Sequence, residues 1–228
     1  MMGSKRGSGS RLIFITSGLL FLATFPAQSQ QAATITYTQD FPGSDPSHYM
    51  ISISSEGHAH YEGNGRLIAP SKYSTDDSVP DNEQLDFTAS SSTIAKIFDL
   101  AKRANYFKGE VENKKRNLAF TGKKVLAYSD NSQKTSATYN YASVPEVQEL
   151  TRIFQNLSST LEYGRRLEYC HRHQKLALDQ ESKQMESTAN GGGLEDIAAV
   201  APILQKIIDD RSVLNVVRLR LQKLLETK

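Results

Sequence analysis

Apolar and polar residues alternate along the first half of the chain with the two-residue period that is typical of β-strands. The clearest example is the segment 49–62, YMISISSEGHAHYE, for which we predict a β-hairpin. A two-residue turn would set apolar residues of one arm opposite polar residues of the other. A three-residue loop that ends at Gly57 instead pairs Ile53 with Ala59, and it gives the glycine the left-handed conformation that such a loop requires.

Weaker alternation predicts further strands on both sides of this hairpin. Residues 34–38 alternate but are soon followed by prolines, so we predict an edge strand there. Gly122 and Lys123 have the glycine-first order of a tight turn, which predicts a second hairpin. The remaining predicted strands, including both arms of that hairpin, are residues 85–88, 117–121, 124–129 and 135–141.

Apolar residues at three- and four-residue spacing predict two helices within the same region. One covers residues 93–105, after a run of serines that can cap its start. The other follows a predicted capping box, in which Ser143 and Glu146 satisfy backbone groups at the helix start, and its apolar stripe continues to residue 161. Gly164 lies at the end of the stripe and is predicted to kink or end this helix.

The last third of the chain is predicted to be helical throughout. After the glycines at 191–193, apolar stripes occupy residues 194–208 and 214–224. Pro202 either kinks the first of these helices or lies in its first turn. The patterns together predict an α+β fold, with a small antiparallel β-sheet packed by two helices and followed by a C-terminal helical hairpin or bundle.

The amino terminus has the layout of a secretory signal peptide. Basic residues precede an apolar run over residues 12–25, and the small residues Ala27 and Ser29 follow it. We predict cleavage after Ser29, with a cut near Ala32 or Ala33 as the alternative. A membrane-spanning helix needs about 20 apolar residues, and this run is shorter, so cleavage is favoured over an uncut anchor. The predicted organisation is a signal peptide at 1–29, an α+β domain at 30–161 and a helical C-terminal extension at 162–228.

Composition narrows what the mature chain could do. Residues 1–29 contain three of the 27 basic residues and none of the 25 acidic ones, which leaves 24 against 25 and a net charge of −1. Because nucleic-acid-binding proteins normally have a concentrated basic face, we expect no nucleic-acid partner. The single cysteine, Cys170, cannot form an internal disulfide. We therefore expect a secreted or periplasmic chain with no stable membrane span after cleavage.

The run from Tyr49 to Leu161 resembles a family of exported bacterial domains of unknown function. The matching features are the hairpin YMISISSEGHAHYEG, the helix IAKIFDLAKRANYF, the strand pair around LAFTGKKVLAYSD and the helix VPEVQELTRIF. This resemblance covers about half of the chain, and it implies a small antiparallel sheet packed by two helices but no activity. The connection between Tyr106 and Arg116 departs from the family, because it lacks an acidic, proline-containing segment. The helices after Gly164 lie outside the resemblance.

A metal site is the first chemical hypothesis. His58, His60 and Glu62 alternate along one predicted strand, so their side chains project from the same face. Imidazole and carboxylate groups are ordinary zinc ligands, and His48 or Asp40 could complete the site. The predicted register sets this face opposite a methionine and two serines rather than further ligands. A solvent-facing polar stripe explains the same residues.

Two other groups of side chains are candidates for catalysis or ligand binding. Cys170 and His173 share one side of a predicted helix, as a catalytic pair would, but a partly buried thiol beside solvated histidines explains them as well. A disulfide-linked dimer through Cys170 stays open. Four tyrosines either line a ligand groove or pack in the core: Tyr49, Tyr61, Tyr139 and Tyr141.

We therefore expect an exported, non-enzymatic binding or interaction module of the cell envelope or secreted fraction, with no cofactor. The apolar stripes after Gly193 predict self-association, or a protein partner, through the C-terminal helices. The alternative is a metal-binding protein or metal-dependent enzyme that uses His58, His60 and Glu62. A third hypothesis is a small-ligand binder that uses the tyrosine face.

Overall fold

The computed structural model of the chain describes residues 1–3, 32–67 and 83–226. All but the first three residues of the predicted signal peptide lie outside the described residues. The described residues from 32 onward belong to one compact unit, Gln31–Lys228. Among the helices that the structure describes, none is both long and apolar enough to cross a membrane.

The fold class is α+β, as predicted, and its centre is an antiparallel β-sheet. The strands are β1 (Thr34–Asp40), β2 (His48–Ser54), β3 (His58–Gly63), β4 (Glu83–Thr88), β5 (Lys123–Ser129) and β6 (Lys134–Tyr139). They form one six-stranded sheet in the order β4-β3-β2-β1-β5-β6. Buried and less buried side chains alternate along β1, β2 and β5, so one face of the sheet belongs to the core.

The predicted hairpin is confirmed in its register and its loop. Ile53 lies opposite Ala59, and Ile51 lies opposite Tyr61. Gly57 has a φ of +93°, the left-handed conformation that glycine adopts without strain. A Cβ atom at this position would also lie only 3.0 Å from a side-chain carbon of Ile94.

Two strand predictions were wrong. β1 is a central strand rather than an edge strand, because it pairs with β2 on one side and β5 on the other. The prolines follow the strand in the connection to β2 and do not interrupt it. Residues 117–121 do not form a strand, so Gly122 precedes β5 instead of joining two strands. The true partners of β5 are β1 and β6.

The described residues contain five α-helices, one between β4 and β5 and four after β6. They are α1 (Ser91–Arg103), α2 (Pro145–His173), α3 (Leu178–Asn190), α4 (Ala201–Asp209) and α5 (Asn215–Glu226). Ser90 caps α1, because its side chain accepts a hydrogen bond from the backbone N–H of Thr93. Pro202 lies in the first turn of α4, which settles the two alternatives for this proline.

Two predictions about α2 were wrong. Val144 precedes the helix without a side-chain cap, and the Ser143 hydroxyl donates to the carbonyl of Val111 instead of capping the helix start. The helix also runs through Gly164 to His173. A Cβ atom at Gly164 would lie 2.6 Å from Cγ1 of Val200, so this glycine permits a close helix contact rather than a break.

The core-facing side of the sheet and helix α2 share one hydrophobic cluster. Tyr37 of β1 stacks on Phe154 of α2, with ring centroids 5.2 Å apart and planes 7° from parallel. Buried residues of α4 and α5, such as Leu204 and Leu221, belong to the same cluster. The predicted domain boundary at residue 161 falls inside α2, and both sides of it lie in one compact unit.

Candidate functional site

The three predicted metal ligands share the outer face of β3, away from the core. His58 is exposed, and His60 hydrogen-bonds through Nδ1 to Oδ1 of Asp86 on β4 at 2.7 Å. Glu62 lies opposite Met50, as the predicted register required. The structure therefore places the three side chains on one strand face and pairs one of them with a carboxylate.

A second imidazole–carboxylate pair lies on the neighbouring strands, where Nδ1 of His48 is 2.5 Å from Oδ1 of Asp40. The described part of the chain contains no group of three or more histidine, cysteine or acidic side chains that could hold one metal ion. The metal site stays a prediction.

The cysteine and the histidines of the second hypothesis have different surroundings in the structure. Cys170 is buried, and burial raises the pKa of its thiol. His171 instead contacts Oδ2 of Asp210 through Nε2, at 2.8 Å. The ring of His173 lies against the ring of Tyr169, with centroids 4.8 Å apart. A buried thiol of raised pKa is a poor nucleophile.

Three of the four predicted tyrosines are buried on the core face: Tyr49, Tyr61 and Tyr139. A fourth buried tyrosine, Tyr37, was not among the predicted set. Burial raises the pKa of each of these four hydroxyls far above the usual range of tyrosine, so all of them stay protonated and can donate hydrogen bonds. Tyr37 and Tyr49 both donate to Oε1 of Gln39, at 2.7 and 3.3 Å.

A buried ion pair on α2 is joined to the sheet by one of these tyrosines. The Arg165 guanidinium contacts both carboxylate oxygens of Glu162, at 2.9 and 3.1 Å, and both side chains are buried. The Tyr61 hydroxyl donates to the same carboxylate at 2.5 Å. Gly65 permits the approach of this carboxylate, since a Cβ atom there would lie 2.2 Å from it.

The candidate binding site is a pocket of about 500 Å³ where β5 and β6 meet the first half of α2. Its volume lies in the usual range for small-molecule sites. The lining residues are Thr121, Lys124, Tyr139, Asn140, Tyr141, Ala142, Gln148, Thr151 and Gln155. Two of the four predicted tyrosines, Tyr139 and Tyr141, therefore lie in this pocket, whereas Tyr49 and Tyr61 do not line it.

Lys124 is the one charged residue of the lining, and its side chain is held by the surrounding backbone. Only 3% of the residue is exposed, and burial lowers the pKa of the ammonium group, partly offset by the carboxylate of Glu112. Its Nζ lies within 3.2 Å of four oxygens: the carbonyls of Thr121, Gly122 and Asn140 and the Thr121 hydroxyl. Because an ammonium group has three N–H donors, these acceptors saturate it.

The other walls carry hydroxyl and amide groups that are fixed by neighbours. Thr151 donates to the carbonyl of Val147 at 2.7 Å, so it accepts the hydrogen bond from Tyr139, at 2.6 Å. The amide nitrogen of Gln155 donates to Gln39 at 2.9 Å. These contacts hold the pocket walls in place before any ligand binds.

The walls also offer acceptors to a ligand. The amide nitrogen of Gln148 donates to the carbonyl of Ala142 at 2.9 Å. The side-chain carbonyl oxygens of Gln148 and Gln155 receive no hydrogen bond from the described residues. Tyr141 is partly exposed, and its ring lies 5.9 Å from Nζ of Lys124.

The tyrosine hypothesis included two residues of the pocket, but Lys124 was not predicted to belong to it, although one signal in the sequence pointed to this lysine. Lys124 shares its strand face with Leu126 and Tyr128, so its position is one where an apolar residue is expected. A lysine in that position either reaches the sheet edge or is buried with partners. The polar residues of α2 that complete the walls carried no such signal.

No family model, no curated protein and no solved structure matches this chain.

Proposed function

We propose that this protein is a non-enzymatic binding module whose pocket, between β5, β6 and α2, holds a small, neutral, hydroxyl-bearing molecule such as a saccharide. The observation that carries the proposal is the saturated ammonium of Lys124. Four oxygens already surround it, so the pocket has a polar wall whose ammonium group has no free N–H donor for an anion.

The lining residues favour this ligand class over an anion. A carboxylate or phosphate would have to displace backbone carbonyls from Lys124, and each displaced carbonyl would lose a charge-assisted hydrogen bond. Gln148 and Gln155 instead offer side-chain acceptors that suit hydroxyl donors. Tyr141 at the rim adds an aromatic surface for the apolar side of such a molecule.

A saccharide-binding assay tests the proposal. We expect neutral mono- or disaccharides from a screened panel to raise the melting temperature and to perturb NMR signals of pocket residues. Tyr141→Ala and Gln148→Ala should each weaken the strongest such ligand by roughly two- to tenfold, the usual range for one lost hydrogen bond or contact. Tyr169→Ala, a partly buried tyrosine on the later part of α2, is the matched control and should bind normally. Binding of carboxylates or phosphates in place of sugars would refute the argument from the saturated ammonium group of Lys124.

The metal hypothesis remains as the second candidate. One observation favours it: Asp86 engages Nδ1 of His60, which leaves Nε2 available, and metal-bound histidines usually have such a carboxylate partner. Elemental analysis of protein purified without a histidine tag tests it directly. Bound zinc that disappears in His60→Ala would support this candidate, and metal-free protein would remove it.

We also propose that the chain is exported and cleaved near Ser29. Its support is the basic, apolar and small-residue order of the first 29 residues. Amino-terminal sequencing of the native protein is the test. A sequence that begins at Met1 in a cytosolic fraction would refute export.

Self-association through the C-terminal helices is a separate proposal. The apolar surface available for it is smaller than the predicted stripes suggest. Val217, Leu221 and Leu224 of the predicted stripe are buried within their own chain. The exposed apolar residues nearby are Leu214, Val216 and Leu219. Sedimentation of wild type against Leu219→Lys tests this proposal, and an unchanged monomeric mass in both would refute it.

A further inference from the structure

A cationic and apolar loop lies beside the pocket, between Asn113 and the start of strand β5. We define the basic loop as residues 114–123, KKRNLAFTGK, the last of which is the first residue of β5; it contains four cationic side chains and no acidic one. Residues 114–120 are all exposed. Such a charge concentration is unusual here, because the chain beyond the predicted signal peptide is nearly neutral.

Two large apolar side chains occupy the same loop. Phe120 is 61% exposed and Leu118 is 37% exposed. The rings of Phe120 and Phe41 form an edge-to-face pair, with centroids 6.0 Å apart. Most of the surface of Phe120 therefore faces water, which is unfavourable unless something covers it.

The backbone of the basic loop is nevertheless fixed at its carboxyl end. The Asn140 side chain accepts from the N–H of Thr121 at 2.8 Å and donates to the carbonyl of Ala119 at 2.9 Å. Lys124 donates to the carbonyls of Thr121 and Gly122. These contacts hold the apolar residues outward, so little ordering is needed for them to bind a surface.

The cations of the loop are largely uncommitted. Lys114 forms an ion pair with Glu110. Lys115, Arg116 and Lys123 form no ion pair with any residue that the structure describes. Three cations beside two exposed apolar side chains match a surface that is both anionic and apolar.

We propose that the basic loop docks onto the surface of an anionic phospholipid bilayer, with Leu118 and Phe120 entering the interface and Lys115, Arg116 and Lys123 contacting headgroups. A nucleic-acid backbone would match the cations, but it would leave Leu118 without an apolar environment. Each cation near an anionic surface strengthens binding by about fivefold. Binding is therefore reversible and depends on anionic lipid.

The absence of tryptophan from the sequence gives a local test. Phe120→Trp in the full chain places a single reporter in the basic loop. With vesicles of equal parts phosphatidylglycerol and phosphatidylcholine, we expect the emission to shift to the blue and to be quenched by lipids brominated on their acyl chains. With pure phosphatidylcholine vesicles, we expect no shift.

Two further variants make this result specific. Leu219→Trp puts the reporter on α5 at a residue of similar exposure, 57%, and its emission should not change with either vesicle. Adding Lys115→Gln and Arg116→Gln to Phe120→Trp should weaken partitioning by about 25-fold. Both replaced cations are exposed, so the fold should be unaffected.

The reporter also separates the loop from the apolar run at residues 12–25, which could itself bring the chain to vesicles. If the Phe120→Trp protein sediments with vesicles but its tryptophan emission does not shift to the blue, the proposal is overturned. An equal shift with pure phosphatidylcholine, or partitioning that ignores the loss of two cations, would overturn it as well.

Discussion

Replacing Tyr61 by phenylalanine removes one hydroxyl from the buried contact between strand β3 and helix α2. That hydroxyl donates to the Glu162 carboxylate at 2.5 Å, and both residues are almost fully buried. Hydrogen bonds to charged groups contribute about 1.5–3 kcal/mol, against about 0.5–1.5 kcal/mol for neutral pairs. Arg165 still contacts the carboxylate in the variant, so the cost should stay within the range for one lost bond.

Tyr37→Phe is the matched control for this change. Tyr37 is as fully buried as Tyr61, but its hydroxyl donates to the neutral amide of Gln39, at 2.7 Å. Both variants lose one hydroxyl from the same face of the same sheet. The difference between them therefore reports the charge of the acceptor rather than the loss of packing.

Urea unfolding followed by far-UV circular dichroism measures both variants. We expect Tyr61→Phe to lower the free energy of unfolding by about 1.5–3 kcal/mol, or the melting temperature by roughly 3 to 12 °C, with an unchanged m-value. Tyr37→Phe should cost about 1 kcal/mol. Equal costs would mean that the carboxylate acceptor adds nothing to the strength of this hydrogen bond, and the reasoning would fail.

Three further predictions test other parts of the structure. Gly164→Ala should destabilise by about 1–3 kcal/mol in thermal unfolding, because its Cβ would overlap Val200, and unchanged stability would mean that this contact is loose. Glu149→Gln should flatten the acid limb of a stability–pH curve, because hydrogen bonds from Arg152 lower the pKa of Glu149 to about 2 in the folded protein. The contribution of Glu149 to the free energy of unfolding is complete above its unfolded-state pKa near 4.5, and it is lost as the pH falls toward 2. A variant curve parallel to wild type would contradict this. Cys170 should react slowly with a thiol reagent when folded and rapidly in urea, because it is buried with a raised pKa; rapid reaction of the folded protein would show that the thiol is accessible.

Local patterns predicted the parts of the fold that depend on neighbours in sequence. The hairpin register followed from keeping Ile53 and Ala59 on one face, and that constraint acts over a few residues. The central position of β1 could not be predicted in the same way. Its second partner, β5, lies more than 80 residues further along the chain, and pairing at that distance produces no periodic pattern in the sequence.

The errors at Ser143 and Gly164 have a common physical cause. Both residues fitted a local rule for helix ends, and in both cases a tertiary contact decided the outcome. The Ser143 hydroxyl binds the carbonyl of Val111, and Gly164 makes room for Val200. Local propensities differ by about 1 kcal/mol, which a single buried contact can exceed.

The pocket and the basic loop depend on the same two residues, and this limits which variants can assign a function. Asn140 and Lys124 line the pocket and also hold the backbone of the basic loop. A substitution of either residue would disturb both surfaces, so a loss of sugar binding or of lipid binding would not identify the surface responsible. The side chains of Tyr141 and Phe120 make none of the hydrogen bonds by which Asn140 and Lys124 hold the loop, so their substitution leaves this shared scaffold intact. If Tyr141→Ala affects only the pocket ligand and Phe120→Ser affects only vesicle binding, the two activities are separate. If each variant impairs both activities, the pocket and the basic loop act together in binding.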